Sequence, residues 1–429
     1  MDPGSFAIGG WSIFKEGWFT PETVWVISFW PPGFMCLQAI ILKIFGGNAP
    51  LVGIIQILSS FLLAVVSLLF RQCLLVFLKA RYATIIPLFF LLSAQFRYFI
   101  LGQDGVLLGE AFSVSFVLIG LFLLLLAAGK NFKVYAFIAG LFFALSAYFR
   151  SPFELFFLVG TFNFLPIVFL MKLLKKTSFS ALLMQFKPVK IIFVALLSFH
   201  FFTVPYRIYN YYRVHSFSWV QTSNAILEKG FYPSEPLLKT GGGFFVLGGG
   251  NIACSVDQKK CEELGPQVVA DKIPHNLLIK ESLKTFISHP LLWIYLKLKL
   301  LPTYWFSTVD SFVSFVFSSS PSLSFSFENL MFAFSFVAGI FCLIYQLIKE
   351  DAFVLFWLSS SILLGYSAII TFAHFEVRYF FFCKFYFLTV FLLFLSRILK
   401  DWFSLNQGSL SNKTKSVCSD SEIRDSTLN

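Results

Sequence analysis

Charge is scarce in this chain. Only 13% of its 429 residues are Asp, Glu, Lys or Arg, about half the share of an ordinary soluble domain. Cysteine is sparse too, with seven scattered positions. No second ligand pair follows at a suitable spacing, so a zinc site is not expected. The N-terminus lacks a basic segment followed by an apolar core. No cleavable signal peptide is expected, therefore, and the first true span is expected to act as the insertion signal. No internal repeat is visible. The runs Gly241-Gly242-Gly243 and Gly248-Gly249-Gly250 are followed by no Lys-Ser/Thr pair, so they are not a phosphate-binding loop. They read as a flexible flap around Phe244-Phe245-Val246-Leu247.

Apolar residues are abundant: 57% of the chain, 60 of them Phe, with mean hydropathy +0.79. This composition predicts an all-α polytopic membrane protein. Phe facing lipid costs nothing extra, so its number reads as composition bias. Runs near the roughly 20 residues a span needs lie at 51–70, 83–100, 107–128, 134–150, 153–172, 190–206, 328–348, 352–372 and 379–398, a bundle of about nine spans. The run 290–306 is broken by Lys297, Lys299 and Pro302 and reads as interfacial; helices are expected near 266–287 and 291–301. The opening holds two shorter apolar runs, one interrupted by Lys15 and Glu16 and one starting at Pro31-Pro32-Gly33. Both suit helices lying along a membrane surface. The parts are then 1–46, an extracytoplasmic juxtamembrane loop; 47–206, a first transmembrane bundle; 207–327, a large extracytoplasmic loop region; 328–398, the last three spans; and 399–429, a disordered cytoplasmic tail.

Net charge is +11, but its distribution speaks against nucleic acid. Basic residues gather in the connectors 71–82, 129–133 and 172–190 and after the last span, which the positive-inside rule places in the cytoplasm. Alternation then puts Asp2, Arg97, Asp104, Glu110, Arg150, Arg207, His374, Glu376 and Arg378 on or near the outer face. A mixed set of charges converging at one membrane surface, beside a loop of about 120 residues, suggests a site.

Each member has a plain reading and a functional one. Asp2 is an exposed terminal acid or a general base that takes a proton from an acceptor hydroxyl. Pro31 and Pro32 form a turn or start a helix. Asp104 and Glu110 are acids in the first turn of a helix, favoured by its dipole; Glu110 lies deeper and needs a partner or water. Arg207, in Tyr206-Arg207-Ile208-Tyr209-Asn210, belongs to an aromatic belt or to a cationic clamp for a lipid phosphate. His374-Phe375-Glu376-Val377-Arg378-Tyr379 packs an acid, a base and an imidazole at the mouth of a span, where Glu376 and Arg378 can also pair with each other. Cys254 and Cys261 share one polar loop, and a disulfide between them is plausible in an oxidising compartment. Cys36, Cys73, Cys342 and Cys383 lie in or beside apolar segments and read as inert.

In order and spacing these pieces resemble the multispanning GT-C glycosyltransferases that take sugar from a polyprenyl phosphate. The groups in view are the lipopolysaccharide-core transferases, the protein O-mannosyltransferases and the lipid A aminoarabinose transferases. The resemblance covers nearly all of 2–398. It rests on Asp2 with Phe6, Pro31-Pro32-Gly33 leading to Lys43-Ile44-Phe45-Gly46, Leu108-Gly109-Glu110, Ala139-Gly140-Leu141 running to Arg150, Pro205-Tyr206-Arg207-Ile208-Tyr209-Asn210, and Glu376-Val377-Arg378-Tyr379. It implies an inverting transfer of a sugar from a polyprenyl-phosphate donor to a lipid, glycan or protein acceptor, at the outer face of a bacterial inner membrane. Asp2 would activate the acceptor, Arg207 and Arg378 would hold the phosphate, and Glu110 and Glu376 would orient sugar or acceptor. Arg150, His374 and Tyr379 complete the expected substrate-binding set, with Arg97, Asp104, Pro31 and Pro32 behind it. No cofactor is implied, and no divalent metal, because arginine can supply the charge that develops on the phosphate. The family pattern also places a span ahead of the Asp loop, and this chain begins at Asp2 without it; the expectation is either a true start further upstream or a truncated copy. A polysaccharide polymerase or ligase, and a lipid-linked-sugar transporter, are the competing expectations.

Overall fold

A computed structural model describes residues 3–18, 20, 23, 31–88, 92–101, 109–127, 132–175, 186–214, 287, 290–298, 301–306, 325–346, 353–372 and 380–400. No strand occurs among them. The helices, in chain order, are α1 (Pro3–Glu16), α2 (Pro32–Phe45), α3 (Leu51–Leu74), α4 (Ala80–Ile85), α5 (Ala94–Leu101), α6 (Glu110–Ala127), α7 (Phe132–Phe149), α8 (Ser151–Lys175), α9 (Lys187–Val214), α10 (Pro290–Leu298), α11 (Leu301–Phe306), α12 (Phe327–Gln346), α13 (Phe353–Phe372) and α14 (Phe381–Lys400).

Six of these are long and apolar enough to cross a membrane: α3, α6, α7, α8, α9 and α14. The apolar stretches described in α12 and α13, Phe327–Phe341 and Phe353–Ala368, are shorter. Outward faces agree with lipid as the solvent. Ile57, Phe61 and Leu68 on α3 and Phe193, Leu197 and Phe201 on α9 are all exposed, a display that soluble monomers avoid. The chain is thus a multi-pass membrane protein.

The expected span over 83–100 is not one helix. α4 ends at Ile85, a turn follows at Ile86 and Pro87, and α5 begins only at Ala94. Pro87 supplies no backbone donor, and the Ser93 hydroxyl accepts from the Phe96 amide (3.1 Å) and starts α5 afresh. The helix expected near 291–301 is described as α10 over Pro290–Leu298. The expected helix at 266–287 falls almost wholly outside the described residues.

The centre of the bundle is α6. It is apolar all round apart from Glu110 and two buried serines, Ser113 and Ser115, and nearly all of it is buried, as a helix without a polar face must be. α7 carries a stripe of small residues, Ala136, Ala139, Gly140, Ala144 and Ala147, and meets α6 where Gly120 lies against Ala139 and Phe143. Such a stripe lets helix backbones approach where no hydrophobic effect drives them together. A Cβ on Gly140 would collide with the Ala195 carbonyl and with Ser198, so α9 also lies unusually close. α7 and α8 form an antiparallel hairpin about Arg150. Phe143 and Phe157, equidistant from that tip, stack with centroids 4.3 Å apart.

α1 and α2 pack against each other on the end of the bundle where this hairpin turns. Each has 14 residues, fewer than a span requires. Pro32 opens α2 at a position where its missing N–H costs nothing. The start of α2 then meets the end of α7 so closely that a Cβ at Gly33 would lie 2.6 Å from the Phe149 ring and 2.8 Å from the Tyr148 carbonyl oxygen.

Candidate functional site

The start of α6, the tip of the α7–α8 hairpin and the last turns of α9 share one end of the bundle. Two ion pairs form there. Arg150 donates through Nη2 to Glu110 Oε1, and Arg207 donates through Nη2 to Glu154 Oε1. All four residues are buried. The logic is electrostatic: a single charge in an apolar interior is prohibitive, and an opposite charge with a shared hydrogen bond makes it tolerable. Glu154 stands one turn after Arg150 on α8, so one short stretch of chain supplies a cation to α6 and an anion to α9.

Aromatic rings enclose the first pair. The Arg150 guanidinium lies 5.7 Å from the centre of the Phe6 ring on α1, within cation–π range. Phe6 meets Phe34 edge-on at 5.7 Å, and Phe112 stacks on Phe149 at 5.2 Å. Between the pair and Pro152, Phe153, Phe156, Tyr366 and Phe382 is a cavity of about 20 Å³, room for one water molecule.

A far larger cavity, about 550 Å³, opens between α2, α7 and α9. Its walls are apolar and aromatic: Trp18; Pro32, Gly33, Cys36, Leu37 and Ile40 of α2; Leu145, Tyr148 and Phe149 of α7; Pro205, Tyr206 and Tyr209 of α9. Tyr148 gives its hydroxyl proton to the Phe202 carbonyl (2.8 Å), which ties α7 to α9 beneath the groove. Burial pushes the Cys36 thiol up to about 12. Tyr206 and Tyr209 place the groove on one face of α9, and Arg207, packed on α8, occupies the other.

A second polar cluster lies across α14. Phe382 faces the small cavity beside Arg150, whereas Lys384, fully buried, donates to Gln95 Oε1 (3.4 Å) and Asn329 Oδ1 (3.5 Å). Gln95 in turn donates to Asn329 Oδ1 (2.7 Å). Glu328 accepts from the Ser93 hydroxyl, so α5, α12 and α14 are stitched together by polar groups inside an apolar bundle.

Of the residues singled out in the sequence, the structure joins Glu110 to Arg150 and buries Arg207, though on a carboxylate of the protein's own. Pro31 and Pro32 are buried at the head of α2, and Pro32 lines the groove. Arg97 is exposed on α5. Asp2, Asp104, His374, Glu376, Arg378, Tyr379, Cys254 and Cys261 lie outside the described residues. Among the described residues no cluster of three or more His, Cys, Asp or Glu side chains could hold a metal ion. Sequence reasoning passed over Glu154 and Lys384. The signal was available: each is a lone charge in an otherwise apolar run, and such a residue requires a partner.

No protein-family model matches the chain, and neither a curated protein nor a solved structure matches it.

Proposed function

We propose that this protein is an inverting glycosyltransferase of GT-C type, embedded in a bacterial inner membrane as about nine spans. It moves a sugar from a polyprenyl-phosphate donor to a lipid, glycan or protein acceptor at the extracytoplasmic face. The observation that carries this reading is the presence at one end of the bundle of two buried Glu–Arg pairs and, on the face of α9 away from Arg207, a 550 Å³ apolar groove. The groove has the size of a ligand site and walls suited to a hydrocarbon chain. The guanidinium groups suit the negative charge that grows on a departing lipid phosphate. Asp2 would take the acceptor's proton, with Arg378 and Glu376 completing the phosphate and sugar contacts.

The test uses the full chain in liposomes with a radiolabelled polyprenyl-phosphate sugar and candidate acceptors. Sugar is expected to move to an acceptor, and Glu110→Gln or Arg207→Gln to reduce transfer at least tenfold. Undiminished transfer by both variants would remove the roles given to these residues.

The transporter reading is favoured by a different feature. Lys384, buried in a membrane helix with Gln95 and Asn329, is the kind of intramembrane ionisable residue that marks transport pathways. Movement of lipid-linked sugar across liposomes without transfer, lost in Lys384→Met, would support it. Activity on an oligosaccharide-diphosphate lipid instead would point to a polymerase or ligase.

A further inference from the structure

The two arginines at the hairpin end are not open phosphate clamps, because each already holds a carboxylate. A phosphate that binds one of these guanidinium groups competes with its carboxylate for the Nη2 hydrogens. The surroundings select which. Arg150 is sealed: its side chain is 1% exposed, with Phe6 across the guanidinium. The Arg207 and Glu154 side chains keep 10% and 9% exposure. One turn beyond Arg207, on the same face of α9, stands Tyr211, more than half exposed. An anion approaching from the end of the bundle therefore reaches Arg207 first.

We propose that Glu154 is a place-holder: its carboxylate occupies the Arg207 guanidinium until a phosphate group displaces it, so Arg207 changes partners when the ligand binds. This rests on the lipid-phosphate reading of the site and adds to it a competition inside the protein. The planar guanidinium offers a carboxylate and a phosphate the same paired donors, so one can replace the other with little movement of α9. The carboxylate holds the buried cation satisfied while the site is empty. It also sets a threshold that a weak or neutral ligand does not cross. Glu154 is in this sense a positioning residue that tunes affinity, and it touches neither donor nor acceptor.

The consequence runs opposite to that of a structural ion pair. Removing the competing charge must tighten phosphate binding, even though it costs stability. The full chain in lipid nanodiscs is titrated with polyprenyl phosphate, with the neutral polyprenol and with inorganic phosphate, and binding is read by native mass spectrometry and by ligand-induced thermal shift. Glu154→Gln is expected to bind polyprenyl phosphate on the order of tenfold more tightly than the wild type, with polyprenol binding unchanged. If Glu154→Gln does not fold, Glu154→Asp, which retains the charge one methylene short of Arg207, is expected to shift affinity in the same direction by less. A comparable gain for inorganic phosphate would keep the place-holder and assign it to free phosphate. Wild-type binding of polyprenyl phosphate that Glu154→Gln and Glu154→Asp leave equal or weaker would overturn the exchange and spare the lipid-phosphate reading. Absence of phosphate binding in every protein would overturn both.

Discussion

The two Glu–Arg pairs, one turn apart along α8, have the same chemistry in different surroundings. Arg150–Glu110 sits behind Phe6, Phe34, Phe112 and Phe149 and ties the hairpin tip to the central helix. Arg207–Glu154 joins two helices near their ends and keeps a small opening. A buried ion pair is weak evidence for stability by itself, since desolvation offsets much of the attraction. What differs is the cost of breaking each pair, and that depends on whether water can reach the charge left behind.

The largest effect is expected at the sealed pair. Arg150→Met leaves the Glu110 carboxylate in an apolar pocket and should lower unfolding stability by about 3–5 kcal/mol, measured by thermal denaturation in detergent. The double variant Arg150→Met/Glu110→Leu should recover most of that loss, because no charge then remains to be solvated. Failure to recover would mean that the pair specifies the hairpin geometry as well as neutralising it. Arg207→Met should cost less, about 1–3 kcal/mol, because Glu154 can be hydrated. Equal losses at the two arginines would erase the distinction. The smallest effect belongs to the groove. With its thiol pushed up to about 12, Cys36 carries almost no thiolate at pH 8. Alkylation by iodoacetamide should run on the order of a thousandfold slower than for a free cysteine and rise about tenfold per pH unit up to that value. It should leave the unfolding temperature unchanged, since neither pair touches the sulfur.

Hydropathy made six of the long helices visible in advance, because a bilayer demands long apolar runs and forbids open backbone. It erred at 83–100, where the apolar run continues through Pro87 and Ser93 but the hydrogen-bond ladder does not. Charges at the ends of spans were equally plain, and both Glu110 and Arg150 were drawn from them. Their pairing was not legible, because the partners are 40 residues apart and the close approach of α6 to α7, where Gly120 lies against Ala139 and Phe143, brings them together. Glu154 and Lys384 show the complementary limit. An average over a window hides a single charge, and the distance from Lys384 to Gln95, 289 residues, carries no local pattern.

The spacing of Glu110 and Arg150 also bears on how the protein is made. The acid leaves the ribosome first, and its guanidinium follows only after all of α7 has been synthesised. Until then the carboxylate lacks the guanidinium that holds it in the folded protein, and lipid is a poor host for it. α6 and α7 should accordingly pass into the bilayer as a joined couple and not one after the other, with Arg150 the residue whose arrival releases both.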